Sequence, residues 1–261
     1  MSRIDIETEL NSEEYKRELT RLIEMRMSVI YCLHFCYANS TRDGVSGERN
    51  FFLRMLDDIL QSIISIEMLA KEGIVNTCKR ELRYLVELSI KSHFVVANSK
   101  KTKFVDQVKE YEDLLNSSNI NPINTLFLDY FEPEIQKEFK TFTKKLYGYL
   151  SSYSHSTTHQ IIERLERAEN QRSIGFEGTA ELRTLNNDFE KVLIVVIVFI
   201  FHSVAQYVVG DFMVEPNGET LKWYFNKSRY INLIDEKFDY KFARQDKLLR
   251  LKQERIDRLK D

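Results

Sequence analysis

An all-α chain, a helical bundle built around one buried apolar helix, is predicted by three features of these 261 residues. The hydrophobic fraction is 43% and the aromatic fraction 12%, enough to bury one sizeable core or two modest ones. Eight glycines and three prolines are too few turn residues for an all-β or dinucleotide-binding chain of this length. Apolar side chains also recur at helical spacing through most of the sequence. The formal net charge of -2 gives no global pull towards nucleic acid or acidic membranes, so any such affinity must come from a local patch. Cys32, Cys36 and Cys78 form no spaced framework, which fits a reducing cytoplasm, and the polar start "MSRIDIETELNSEEYKREL" does not read as a signal peptide.

The helices follow in order. The first long one runs from Ser12 to about Tyr37, with Ser12 as N-cap and Glu13 and Glu14 in the first turn, where carboxylates favour the positive end of the macrodipole. After the loop "STRDGVSGERN", a helix from about Glu48 to Lys71 carries Phe52, Leu56, Ile59, Leu60, Ile63 and Ile66 on one side, and Gly73 ends it. A third runs from Ile74 to about Asn98 and a shorter polar one from Thr102 to Leu115, before the loop "NSSNINPIN". Glu134 to about Gly148 is helical and leads into a strip, Leu146 to Gln160, that continues the pattern through Ile161 to Glu169. "NQRSIGFEG" separates this from a long helix starting near Thr179.

That last helix holds "VLIVVIVFIFHSVAQYVV", Val192 to Val209, which opens with ten consecutive apolar residues and runs for eighteen in all. Eighteen is the lower limit for crossing a bilayer. His202, Ser203 and Gln206 would be costly in lipid and can be satisfied inside a bundle, so the reading is a buried central helix, with a membrane span and then a buried strand as the alternatives. The bundle domain is expected to end at residue 210, followed by a C-terminal unit, 211–261. In it Pro216-Asn217-Gly218 signals a small β-hairpin, and the segment 241–261 reads as a charged helix with eight Lys or Arg against four Asp or Glu. Phe242, Leu249 and Ile256 repeat every seven residues, too few for a firm coiled coil, so this helix is read as a solvated amphipathic helix packed on its own domain, with a protein partner or homodimer, and nucleic-acid contact, as the alternatives.

Candidate functional residues lie on two segments. On the helix Ile74–Asn98, apolar side chains cover most of the circumference, while Arg80, Arg83, Glu87 and Lys91 fall within an arc of about 80° at 100° per residue. A helix so apolar is central, and its polar stripe faces a cleft or a buried partner, because buried Arg and Glu must pair or hydrogen-bond. The plainer reading is an Arg83-Glu87 pair at i, i+4 on a half-exposed face. The strip "LYGYLSSYSHSTTHQ" contributes Ser151, Tyr153, His155 and His159. On one continuous helix His155, His159 and Glu163 would share a face, a spacing suited to a metal; but Ser156 stands where a zinc-protease helix has glutamate, and no further cluster offers ligands, so no metal site is expected. No Gly-x-Ser-x-Gly elbow, Walker loop or dinucleotide glycine pattern is present, and no cofactor is expected.

The pair "RELRYLVELSIKSHF", Arg80 to Phe94, and "YGYLSSYSHSTTHQ", Tyr147 to Gln160, resembles a set of uncharacterised bacterial all-helical proteins of HEPN-like and abortive-infection type. There an Arg and, four residues on, a Glu sit on a central helix, and a later helix carries a Leu-Ser-x-x-x-His strip. Here the matching positions are Arg83 and Glu87, then Leu150, Ser151 and His155, with Tyr147 and Tyr153 alongside. The resemblance spans about Glu48 to Phe201 and implies a bundle in which Arg83, Glu87 and His155 converge across the core. HEPN ribonucleases place His a few residues after Arg on one helix. None of His34, His93, His155, His159 and His202 has an Arg five to seven positions before it, so that signature is missing here.

Two functional classes follow. One is a non-enzymatic binding or sensor module, in a bacterial defence or toxin-antitoxin setting, with the Arg83-Glu87-His155 cleft taking an anionic or nucleotide-like ligand and Arg80, Lys91, Tyr153, Ser151 and His159 contributing contacts. The other is a HEPN-like ribonuclease or phosphodiesterase in which Arg83 supplies charge, His155 transfers the proton and Glu87 completes the site. For His155 a purely structural role, bonded to Glu87 and locking two helices, is equally consistent with the sequence.

Overall fold

The computed structural model describes residues 3–40, 50–98, 103–117, 119–154, 157–169, 178–215 and 220–238, together with Gln253. These contain eleven α-helices and no strand, so the chain is an all-α bundle. The helices are α1 (Arg3–Leu10), α2 (Glu13–Ser40), α3 (Phe51–Arg54), α4 (Leu56–Lys71), α5 (Val75–Asn98) and α6 (Phe104–Leu115). They continue as α7 (Pro133–Ser151), α8 (Thr158–Glu169), α9 (Thr179–Phe201), α10 (Gln206–Phe212) and α11 (Arg229–Asp235).

Local chemistry explains most of the boundaries. The Ser12 hydroxyl accepts from the Tyr15 amide at 3.2 Å and so caps α2, with Glu13 and Glu14 in the first turn. Gly73 closes α4 in a left-handed conformation, φ 66°, which lets the Ile74 amide reach back to the Leu69 carbonyl at 2.8 Å. Pro133 opens α7, where its missing N–H costs no intrahelical bond. One expected helix differs in detail. The segment expected as one helix from about Glu48 to Lys71 is split at Met55, because Asn50 starts a separate turn: its Oδ1 accepts from the Leu53 amide at 3.3 Å while its Nδ2 donates to the Ser203 carbonyl. Asn50→Ala is expected to cost about 1–2 kcal/mol; an unchanged urea-unfolding midpoint would show that this cap contributes nothing.

α9 is the buried central helix. It packs against α5 and α2, and from Val192 to Phe201 only Ile194 is less than fully buried. α5, its partner across the core, is itself flanked by α4, α7 and α3. The apolar run Val192 to Val209 is not one helix, since the chain turns after Phe201 and restarts at Gln206. Among the described residues no helix is long and apolar enough to cross a membrane.

Beyond Gly210 the chain packs back on the bundle. Phe212 meets Tyr31, Phe35 and Phe201, Trp223 stacks edge-on against Phe212, and Tyr230 does the same on Phe139. The expected hairpin is reduced to a single antiparallel bridge, Val214 with Thr220, supported by the Leu221 amide on the Met213 carbonyl. Its turn, residues 216–219, and the expected C-terminal helix, 241–261, lie outside the described residues, Gln253 apart.

Candidate functional site

The polar stripe of α5 is not solvated; it forms a seam against α7. Arg83 Nε donates to Ser151 Oγ at 3.1 Å and Nη2 to the Tyr147 hydroxyl at 2.6 Å, and the guanidinium also stands 4.9 Å from the Tyr147 ring centre. Tyr147 donates in turn to Glu87 Oε2 at 3.1 Å. Glu87 is shared: Arg83 is 3.3 Å from Oε2, and Lys91 Nζ sits 2.5 Å from Oε1. Lys91 is 1% exposed and gives its second bond to the Ser117 carbonyl at 2.7 Å. Burial and the Glu87 carboxylate push the Tyr147 phenol above its ordinary range, so it stays protonated and passes a hydrogen bond from Arg83 to Glu87.

One turn earlier on α5, a second group of side chains meets the end of α7. The buried Lys79 donates to the hydroxyls of Tyr149 at 3.0 Å and Tyr153 at 2.8 Å, with its ammonium 4.0 Å from the Tyr153 ring centre. Tyr153 donates to Glu163 Oε1 at 2.8 Å and ties α8 to the seam. Burial raises both phenols, Tyr149 to about 12. The Tyr153 carbonyl, beyond the end of α7, is taken by Arg80 Nε at 3.1 Å and by Gln160 Nε2 at 2.9 Å. Arg80 thus satisfies a carbonyl near a helix C-terminus, where a cation is favoured, and its side chain lies at the surface.

The helix expected to run on through the strip is corrected by this geometry. α7 stops at Ser151, Ser152–Ser154 form a turn, and a separate helix α8 starts at Thr158, so the strip is not one continuous helix, and His159 and Glu163 belong to α8. The hydroxyls bring about the break: Ser152 Oγ donates to the Tyr149 carbonyl and Thr157 Oγ1 to the Ser152 carbonyl, in competition with the backbone ladder. His155 lies outside the described residues, as does the side chain of His159. Among the described residues no three His, Cys, Asp or Glu side chains converge as a metal would require. Arg83, Glu87, Lys91 and Ser151 meet in one network; Arg80 and Tyr153 join the neighbouring one.

Sequence reasoning passed over Lys79, Tyr149 and the role of Glu163 at this seam. The signal for Lys79 was present, since it completes an i, i+4 series with Arg83, Glu87 and Lys91. It also passed over a buried cluster behind the seam. His202 Nδ1 bonds the Val198 carbonyl at 2.7 Å and its Nε2 accepts from the Tyr130 amide at 3.3 Å, which fixes the neutral ring with its proton on Nδ1. His93 Nδ1 is 2.8 Å from Ser203 Oγ, whose own proton goes to the Phe199 carbonyl; Nδ1 is therefore the donor, and the buried Nε2 has no hydrogen-bond partner among the described residues. Burial is the main reason that the imidazoles are held down, His93 to about 3 and His202 to about 4.

The fold and seam define the class as an all-α bundle with a cation-rich polar seam between two of its helices. Compared with protein-family models, curated proteins and solved structures, the chain matches none of them.

Proposed function

We propose that this protein is a helical binding module whose α5–α7 seam holds an anionic, nucleotide-like ligand, acting in the cytoplasm in a bacterial defence or toxin-antitoxin setting. One observation carries the reading: the seam gathers four cations, Lys79, Arg80, Arg83 and Lys91, along one edge of α5, with Glu87 and Glu163 among them. Cations clustered in a partly buried setting are stabilised by an incoming anion, and guanidinium groups suit phosphate geometrically. Arg80 stands at the surface and presents its charge to solvent, while Arg83 is held rigidly by Ser151 and Tyr147. This division of labour supports a ligand that lands on Arg80 and is oriented by Arg83. The defence setting rests on the resemblance in the two segments alone.

Calorimetric titration with ATP and with pyrophosphate tests the reading. Arg80→Ala is expected to weaken binding about tenfold, the worth of one charge-assisted hydrogen bond, and to lower the melting temperature by only about 2–4 °C, because Gln160 still holds the Tyr153 carbonyl that Arg80 gives up. No heat with either anion at millimolar concentration would reject a nucleotide-like ligand. Cleavage of labelled RNA, if present and lost in His155→Ala, would replace the binding reading by the nuclease one.

A further inference from the structure

We infer that the face of α7 leading up to the seam is a track for the backbone of a single-stranded nucleic acid, so that the seam's anion is one phosphate of a chain. This rests on the reading of Arg80 and Arg83 as an anion site and extends it along the surface. At 100° per residue, Lys137, Lys140, Lys144, Gly148 and Ser151 fall within an arc of about 80° on α7. The arc ends at Ser151, which holds Arg83. From Lys137 to Ser151 the helix rises about 21 Å, a length that suits a strand on the order of four nucleotides. Gly148 leaves the track open before the arginines: a Cβ placed there would meet nothing within 4 Å.

Among the described residues the three ammonium groups form no ion pair with a carboxylate. Lys140 donates to the carbonyls of Leu126 and Asn124, Lys144 donates to Asn124 Oδ1, and Lys137 is exposed. Carbonyl and amide oxygens orient a lysine without cancelling its charge, and Lys140 and Lys144 stand close enough to repel. Partial burial, and after it the Lys144 charge, depress the Lys140 ammonium. Two like charges crowded on neutral acceptors are stabilised by an external anion. Their placement is local in a chain of net charge -2.

An aromatic side chain selects nucleic acid over other polyanions. Phe127 adjoins the carbonyl that anchors Lys140, and at 68% it is the most exposed large apolar side chain among the described residues. An exposed ring on the residue next to Leu126, which holds Lys140, offers a stacking platform at the track, with sugar-phosphate on the cations and a base on the ring. An acidic polypeptide would use the lysines and leave the ring idle.

The experiment is fluorescence anisotropy of the full-length protein with labelled uridine 12-mer and 3-mer oligonucleotides between 50 and 200 mM salt, with polyglutamate as competitor. The 12-mer should bind at least tenfold more tightly than the 3-mer. The Lys137→Gln, Lys140→Gln, Lys144→Gln triple variant should remove that advantage and lower the salt slope by about 2, and Phe127→Ala should weaken the 12-mer several-fold. Because Lys140 is partly buried, the Lys137→Gln, Lys144→Gln pair repeats the test on fully exposed positions. If Arg80→Ala abolishes 3-mer binding while the lysine variants change nothing, the track is wrong and the anion site stands. If the lysine variants act and Arg80→Ala does not, the track stands and the seam reading fails. Absence of 12-mer binding overturns the track and leaves the seam reading to the ATP and pyrophosphate titration, and polyglutamate competing equally with no effect of Phe127→Ala overturns the nucleic-acid track in favour of an acidic polypeptide.

Discussion

Acidification from pH 7.5 to pH 4.5 is expected to remove about 5 kcal/mol of folding stability through His93 and His202 alone. Both rings are neutral in the folded protein, with pKa values lowered from 6.5 to about 3 and about 4, chiefly because they are buried. The unfolded chain takes up a proton on each below about pH 6.5, whereas the folded one does not, so the unfolded state binds more protons and stability falls with pH. Each unit of pH below 6.5 then costs about 1.4 kcal/mol per histidine until the folded pKa is approached. The geometry gives the same sign. A proton on His202 Nε2 would face the Tyr130 amide, which is itself a donor, and a proton on His93 Nε2 would be buried with no acceptor. For Glu18 burial raises the pKa, but hydrogen bonds from Asn186 and Arg183 and the charges of Arg21 and Arg183 together outweigh it and leave it lowered, so its contribution starts to be lost only below the ordinary carboxylate value, at lower pH than the onset of the histidine loss. Urea unfolding at half-unit intervals of pH measures the slope. In His93→Phe, which keeps the ring packed against Phe199 but cannot be protonated, the acid loss should fall to about half. A midpoint constant from pH 7.5 to 5 in the wild type would mean that these rings are not buried neutral.

What could be read from the sequence followed the range of the interactions. Helix class and order were legible, because amphipathic periodicity, scarce glycine and proline, and local caps such as Ser12 and Gly73 act within a few residues. The break between α7 and α8 was partly legible: six serine and threonine hydroxyls from Ser151 to Thr158 can compete for backbone acceptors, and those of Ser151, Ser152 and Thr157 are seen donating to carbonyls. The split at Met55 was not, because Asn50 is held by the carbonyl of Ser203, a residue distant in sequence. The candidate site divides in the same way. Arg83, Glu87 and Lys91 could be paired on paper by their i, i+4 spacing, but only packing reveals that Tyr147 hands a hydrogen bond across to Glu87, or that Lys79 sits between two phenols. Nor does a sequence show His93 and His202 within ring contact; each alone reads as one polar residue on an apolar helix.

Glu87→Ala is expected to destabilise the fold by about 3–5 kcal/mol, because it leaves a buried charge without its counter-ion. The charge is Lys91, which after the substitution keeps only the Ser117 carbonyl. Tyr147 loses its acceptor in the same step and Arg83 a partner at 3.3 Å, so three polar groups are left short by one change. The converse substitution is milder. In Lys91→Met the carboxylate still holds Arg83 and Tyr147, and the methionine fills most of the lysine stem's volume, which sets the expected loss at about 1 kcal/mol. Glu87→Leu combined with Lys91→Met should therefore be less damaging than Glu87→Ala alone, since no buried ammonium remains to be compensated; strictly additive losses would show that the two side chains do not interact. The comparison also separates packing from ligand binding at the seam. Glu87→Gln keeps the hydrogen-bonding shape and removes one negative charge, so under the anion-binding reading it should cost stability yet hold ATP at least as tightly as the wild type. Weaker binding at full occupancy of the folded state would instead make Glu87 a direct contact of the ligand.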